Sequence, residues 1–351
     1  DYNFWYRIDR WLVLECREYD EPFTATPVEQ GTFAASRCLS SMRVEPWLGG
    51  VPAEDFVPDR SRPFSGTRCS IENSPMNVSA CAYLLLSVVG LTALQQAHAA
   101  SLFESTENEL SLTGSETEIW LERRAGAWGK GTAPSRILHS QRNAAGDWLP
   151  LVEFDPVMSG GDGGDPFYHA ASETLYFTST RRHPVLGESE QNIWRIQRVD
   201  GTWREPEVLP TPVNSAGVEY SPIKAGGRLY FASYRDGQGD LHVASETDSG
   251  WRIEPLGAAI NSATGEWNLW VSDDEALLVF EASERSGNIS VSGDLYASMK
   301  DATGRWLPAV PLHDLNGAGS ELNPRALGDD LVYASSSRQG THTDLYRVSR
   351  A

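Results

Sequence analysis

Cysteine is missing from most of this chain. All four cysteines (Cys16, Cys38, Cys69, Cys81) precede residue 82, so residues 82–351 can hold no disulfide frame, thiol nucleophile or cysteine-ligated zinc. Positive charge is scarce as well: 29 Lys and Arg stand against 48 Asp and Glu, a formal net charge of −19. That balance excludes binding along a nucleic-acid backbone. The histidines after residue 99 (His139, His169, His183, His242, His313, His342) show no paired ligand spacing. The C-terminal two-thirds lacks any capped stretch with a sustained 3.6-residue apolar stripe, which argues against helices. No Walker loop, dinucleotide fingerprint or G-x-S-x-G elbow occurs.

What is abundant is turn and ring chemistry: 31 Gly, 20 Pro and 12 Trp among 351 residues. Those counts favour β structure with many turns. The front of the chain stands apart. Residues 76–99 read MNVSACAYLLLSVVGLTALQQAHA, an apolar run from Ala80 to Leu94 closed by Ala97-His98-Ala99. An apolar centre ahead of an A-x-A site is the pattern of a signal peptide, with Ala100 as the first mature residue. Against it, no Lys or Arg lies between Met76 and the run; a buried helix or short anchor would be the alternative. At about 15 residues the run is short for a membrane span, which needs about 20. The expectation is a signal at 76–99, no stable span after its cleavage, and a periplasmic or extracellular working part at 100–351. Residues 1–75 show no repeat and are expected to be non-native upstream or disordered sequence.

Within 100–351 one unit recurs. An aromatic within an apolar run stands at Tyr176 (LYFTSTR), Tyr230 (LYFASYR), Phe280 (LVFEASER) and Tyr333 (LVYASSSR), each with an Arg five residues on: Arg181, Arg235, Arg285 and Arg338. A weaker copy surrounds Trp120, and successive spacings are 56, 54, 50 and 53 residues. A second apolar run follows each, as in DLHVA, DLYAS and DLYRV, and in four copies a Gly turn then leads to Trp148, Trp203, Trp251 or Trp306. Short strands at a period near 50 indicate four-stranded blades arranged radially, an all-β propeller. Five copies imply five blades. The last copy ends after its third strand, which leaves a sixth, irregular blade open and makes Ser101–Ser105 the candidate closing strand.

Stretches such as NSAGVEYSPIKAGGRLYFASYRDGQGDLHV and NGAGSELNPRALGDDLVYASSSRQGTHTDLY resemble the WD40-like repeat of the TolB-type propeller family. The resemblance covers residues 109–351 and is weakest over 109–155. It implies a secreted or periplasmic propeller, usually non-catalytic, that binds proteins or cell-envelope components.

Ahead of each inner strand comes an acid: Glu109, Asp165, Glu219, Glu266 and Glu321. If the second strand returns antiparallel to the first, its terminal Arg lies beside that acid. The acids and Arg residues would then form a collar at one mouth of the channel. One reading is a set of pairs that fasten the strand ends; the other is a ligand-binding rim. What differs between blades is the aromatic content after each acid, with Tyr168, Tyr220 and Trp267. Aromatics beside carboxylates suit sugars or peptide side chains. The candidate contact residues are therefore Asp165, Tyr168, Arg181, Glu219, Tyr220, Arg235, Glu266, Trp267, Arg285, Glu321 and Arg338.

GGDGGDPFY at 160–168 matches one nonapeptide of the calcium-binding type, but such sites stack tandem copies. A Gly-rich connection is the plainer account, and neither a metal nor any other cofactor is expected. The sequence thus points to a non-catalytic module for a protein or envelope glycan. The rival is a carbohydrate-active hydrolase, a glycosidase or sialidase-like enzyme, using two acids of the mouth.

Overall fold

The computed structural model describes residues 105–129, 133–187, 191–336 and 342–348, together with three short strands near the N-terminus. The chain divides into two units, Asp1–Leu86 and Ser87–Ala351. In the first, Trp5–Ile8, Leu12–Glu15 and Val44–Pro46 form one antiparallel sheet. The rest of the expected upstream segment, the expected signal at 76–99 and all but Ser105 of the closing-strand candidate Ser101–Ser105 lie outside the described residues.

The second unit is five antiparallel sheets in succession. Their inner strands are Asn108–Gly114, Gly164–His169, Glu219–Ala225, Gly265–Val271 and Glu321–Leu327. Each hairpins into a second strand (Glu118–Arg124, Thr174–Ser179, Arg228–Ser233, Leu277–Ser283, Asp330–Ser335) and then a third (Arg136–Gln141, Asn192–Val199, Asp240–Thr247, Asp294–Met299, Asp344–Val348). Blades 1 to 4 add an outer strand, long only in blade 3 at Gly250–Pro255. The period-two alternation of the sequence explains the pattern: each sheet buries both faces against its neighbours, so no blade is stable alone.

One hydrogen bond, repeated at every seam, counts the blades. A backbone N–H at the start of each inner strand donates to a carbonyl just before the third strand of the preceding blade. The five bonds are Gly163 to Ser135 (3.2 Å), Glu219 to Gln191 (3.3 Å), Glu266 to Gly239 (3.0 Å), Glu321 to Gly293 (3.0 Å) and Glu109 to Thr343 (3.0 Å). The last joins blade 5 to blade 1 as the others join neighbours. The ring closes at five.

Apolar clusters fill the wedges between sheets. Leu112, Ile119 and Leu121 meet Leu322, Val332 and Leu345 across the closing seam. Ile223, Tyr230 and Leu241 meet Leu269, Leu278 and Phe280 between blades 3 and 4. Inside each of blades 2 to 5 a ring on the second strand faces one on the third: Phe177 and Trp194, Phe231 and His242, Phe280 and Tyr296, Tyr333 and Tyr346, with centroids 5.9–6.4 Å apart. Strand register therefore makes Phe177 and Phe231, not Tyr176 and Tyr230, the counterparts of Phe280 and Tyr333. The five-residue spacing to Arg hid this, because the Arg follows its ring by four residues in blades 2 and 3 and by five in blades 4 and 5.

Three asparagines hold the blade junctions, Asn214 buried and Asn261 and Asn316 half-buried. Asn214, Asn261 and Asn316 each accept from, and donate to, the backbone of one third-strand residue: Ile193, Leu241 and Leu295, at 2.8–3.1 Å. The carbonyls of those residues also accept from the N–H groups of Leu209, Leu256 and Leu312, so the side-chain amide supplies chiefly the acceptor that each third-strand N–H needs.

Candidate functional site at the channel mouth

The mouth is built from the point where each second strand ends beside the start of its inner strand. Glu219 lies opposite Ser233 and Glu321 opposite Ser335, so the following Arg can fold back. It does so in three described blades. The guanidinium of Arg235 reaches Glu219 Oε1 at 3.5 Å, that of Arg285 reaches Glu266 Oε1 at 3.0 Å, and that of Arg123 reaches Glu109 Oε1 at 2.7 Å. The Arg residues also donate to carbonyls: Arg235 to Val213 (2.7 Å) and Pro212, Arg285 to Ile260 and Ala259. Each then covers its strand ring, with Cζ 5.3 Å from the Phe231 centroid and 5.6 Å from Phe280.

The second carboxylate oxygens bind the loop ahead. Ser215 N–H donates to Glu219 Oε2 and Ser262 N–H to Glu266 Oε2, both at 2.9 Å, while Gly317 N–H donates to Glu321 Oε2 at 2.8 Å. Serine hydroxyls of the same loops and of the second strands take the first oxygens at 2.5–2.8 Å. Glu219 and Glu266 are fully buried (0% exposed). The rim acids are tied on both oxygens to their own blades. Arg338 lies outside the described residues.

Blade 2 departs from the expected collar. Its Gly-rich lead-in places Asp162, not Asp165, in the fastening role: Asp162 accepts from Ser179 Oγ (2.8 Å) and the Thr180 N–H. Arg181 donates to the carbonyls of Val157 and Asp162 rather than to a carboxylate. Among the described residues no group of three or more His, Cys, Asp or Glu could hold a metal ion. Tyr168 also leaves the mouth. It pairs with Leu175 at the far end of its strand, is buried against Trp120 (centroids 4.5 Å) and accepts from Arg198 at 2.9 Å.

Beneath the collar lies a second ring that the sequence reading missed. A β-bulge shifts the register of every inner strand after its first one to three pairs. In four blades the bulge carries a left-handed residue: Asp165 (φ 46°), Ser221 (51°), Asn268 (39°) and Asn323 (50°). Asn and Asp tolerate that conformation better than other side chains. Ser111 supplies blade 1. Ser221 N–H donates to Asp165 Oδ2 (3.4 Å), and Leu269 N–H donates to Ser221 Oγ (3.2 Å), so the ring is linked from blade to blade.

Three charged groups back this ring. Arg325 of blade 5 is 1% exposed and crosses to blades 3 and 4, donating to Ser221 Oγ (3.2 Å) and the Leu269 carbonyl (2.9 Å). Burial lowers its guanidinium to about 10. Glu122 accepts from Asp165 N–H (2.8 Å) and Ser135 Oγ (2.6 Å), and burial with the nearby Asp165 charge pushes it up to about 7. Glu281 accepts from Asn268 Nδ2 (2.5 Å), and burial pushes it up to about 8. Burial raises Asp165 too. One signal was available in sequence. The second-strand slot holding Glu122 and Glu281 is filled by Thr178, Ala232 and Ala334 in the other blades, and a Glu in place of a small residue marks a departure from scaffold need.

Between blades 3 and 4, aromatics form a strip in which Tyr234 is exposed and Tyr220 and Trp267 are half-buried. Tyr220 stacks on Tyr234 (centroids 6.1 Å, 23° between planes), and Trp267 Nε1 donates to the Tyr234 hydroxyl at 2.7 Å. Gly239 and Gly265 make room for the indole, since a Cβ on Gly239 would stand 2.2 Å from Trp267 Nε1. Trp267 is the cross-strand partner of Glu281.

A closed ring of five blades, with a fastened rim and a polar axis, makes this a β-propeller. No protein-family model matches the chain, and no curated protein matches it. Solved structures similar to it include TolB from Acinetobacter baumannii (11% identity, TM-score 0.40), where the match spans 71% of this chain and 56% of that one. A putative TolB from Agrobacterium tumefaciens is similar at 14% identity and TM-score 0.37, over 70% and 92% of the two chains. So is a GH43 endo-arabinanase from Bacillus licheniformis at 10% identity and TM-score 0.41, over 68% and 92%. No helix among the described residues is long and apolar enough to cross a membrane.

Proposed function

We propose that this chain is an exported, non-catalytic binding module whose ligand, a protein or cell-envelope glycan, sits at the aromatic mouth between blades 3 and 4. The carrying observation is that Glu219 and Glu266 spend both carboxylate oxygens on their own loops and Arg residues, while the exposed Tyr234 joins the half-buried Tyr220 and Trp267 in one aromatic strip. Fastened carboxylates are poor proton donors or nucleophiles, and a ring strip is suited to an apolar sugar face or side chain. Export rests on the apolar run at 80–94 and Ala97-His98-Ala99.

The test is a glycan array and envelope pull-down with the full chain, repeated with Trp267→Ala and Gly239→Ala. Either change should weaken binding at least tenfold, the second because its Cβ displaces the indole without removing it. Binding unaltered by either variant would exclude this mouth as the contact surface. One observation favours the hydrolase reading: a buried, protonated Glu281 is the state a general acid requires. That reading predicts saccharide hydrolysis abolished by Glu281→Gln, whereas the binding module predicts no turnover in either form.

A further inference from the structure

Among the described residues only blade 3 ends in an unbroken outer strand, Gly250–Pro255. On its inner side it pairs with Asp240–Thr247 across a two-residue turn, with Thr247 opposite Gly250. The residues flanking such a turn form a hydrogen-bonded pair, so Gly250, Arg252 and Glu254 turn their main-chain groups inward. The Leu256 N–H, next in that series, donates to the Leu241 carbonyl at 2.9 Å. Trp251, Ile253 and Pro255 therefore turn their main-chain groups outward, where no strand is paired among the described residues. An edge of this kind is a template for another strand.

The side chains say which strand fits. Trp251 and Ile253 are half-buried on one face, against the cluster around Phe231. Arg252 and Glu254 share the other face, with side chains 66% and 51% exposed. A guarded edge carries charges that repel a second copy; this edge carries one charge of each sign. In an antiparallel pair about a two-fold axis at Ile253, Arg252 stands opposite the second copy's Glu254 and Glu254 opposite its Arg252. The two Ile253 residues exchange N–H and carbonyl, and each Trp251 N–H meets the other copy's Pro255 carbonyl. Pro255 has no N–H, so it brings no donor that would go unmet. Two-fold registers centred on Arg252 or on Glu254 would set like charges face to face, which disfavours both. We propose that the outer edge of blade 3 is a self-association surface, at which two copies of this chain join their blade 3 sheets through Gly250–Pro255. This surface lies at the outer edge of the ring and does not depend on what the mouth binds.

The test is sedimentation equilibrium of the full chain from about 1 μM to about 1 mM, a range suited to the small interface of one strand pair. The wild type should form a reversible dimer. Arg252→Glu and Glu254→Arg each set like charges opposite one another and should weaken the dimer at least tenfold. Mixing these two variants should restore it, because one then presents two acids where the other presents two bases. Ile253→Pro removes an outward N–H and should also weaken it, with thermal melts confirming that each variant is folded. Amide exchange followed by NMR should slow at Trp251 and Ile253 as wild-type concentration rises, while Arg252 and Glu254 stay protected throughout. A chain that stays monomeric over the whole range would overturn the proposal. So would a dimer that the charge variants leave intact, or a mixture no more associated than its components.

Discussion

Glu219 and Glu281 are both glutamates at 0% and 6% exposure, yet their surroundings give them opposite jobs. Glu219 is surrounded by donors: a backbone N–H, two serine hydroxyls and a guanidinium. Glu219→Gln removes the charge those donors serve and should destabilise the fold by about 1–3 kcal/mol, read as a lower urea midpoint, with ligand affinity unchanged. Glu281 meets one amide donor in an otherwise desolvated site, so it keeps its proton up to about pH 8. In the unfolded chain it ionises near the ordinary glutamate value of 4.5. Between those limits the folded state holds a proton that the unfolded state has released, so stability falls as pH rises from about 5 to about 8. Glu122, at about 7, adds to the same slope. Glu118 and Glu275 act the other way, because hydrogen bonds from His139 and Arg228 outweigh burial and lower them; their contribution is lost only as pH falls below about 4.5. Glu281→Gln keeps the Asn268 contact and should flatten the melting temperature between pH 6 and pH 8.5, stabilising the protein at the upper end by on the order of 2 kcal/mol. An unchanged slope would mean that Glu281 ionises freely in the folded chain.

At the scale of elements, the repeat was legible because strand alternation, Gly turns and the Asn lead-ins are all short-range signals. The Asn lead-in shows why such a motif recurs. Asn261 accepts from the Leu241 N–H and adds a second donor to its carbonyl, which also accepts from the Leu256 N–H. Asn261→Ala would leave that Leu241 N–H bare and should cost about 1–3 kcal/mol. Hydrogen exchange at the Leu241 amide reports it directly, and protection matching the wild type would show that another group takes over. Less of the site was legible. The rim positions Glu219, Glu266 and Glu321 followed from strand geometry alone. Asp165 did not, because the bulge around Asp165-Pro166 moves it off the rim and hands the fastening role to Asp162. Tyr168 looked like a mouth residue only because the chain counts forward from Asp165; three positions farther it has already reached the other end of the strand. Arg325 was invisible for a different reason. Its partners, Ser221 and the Leu269 carbonyl, belong to blades far away in sequence, and nothing local distinguishes it from a surface arginine.

A propeller as a whole has one property that none of its blades has: closure. Four seams join blades that are consecutive in sequence, but the fifth joins residue 343 to residues 108 and 109. Thr343 N–H donates to Asn108 Oδ1 (3.2 Å) and its hydroxyl to the Glu109 carbonyl (2.9 Å). Asn108 Nδ2 in turn donates to the carbonyls of Arg124 and Gly126 at 3.1 and 2.7 Å. The closing bonds order the longest loop in the molecule, so they form last and against the largest chain entropy. Asn108→Ala removes three hydrogen bonds at that point and should destabilise the protein by about 2–4 kcal/mol. Because every sheet buries its faces only against its neighbours, the opened ring should lose exchange protection in all five blades rather than at one junction. Hydrogen exchange followed by mass spectrometry separates the cases. A loss confined to blades 1 and 5 would mean that the blades are held as a row, with closure adding little beyond one more contact.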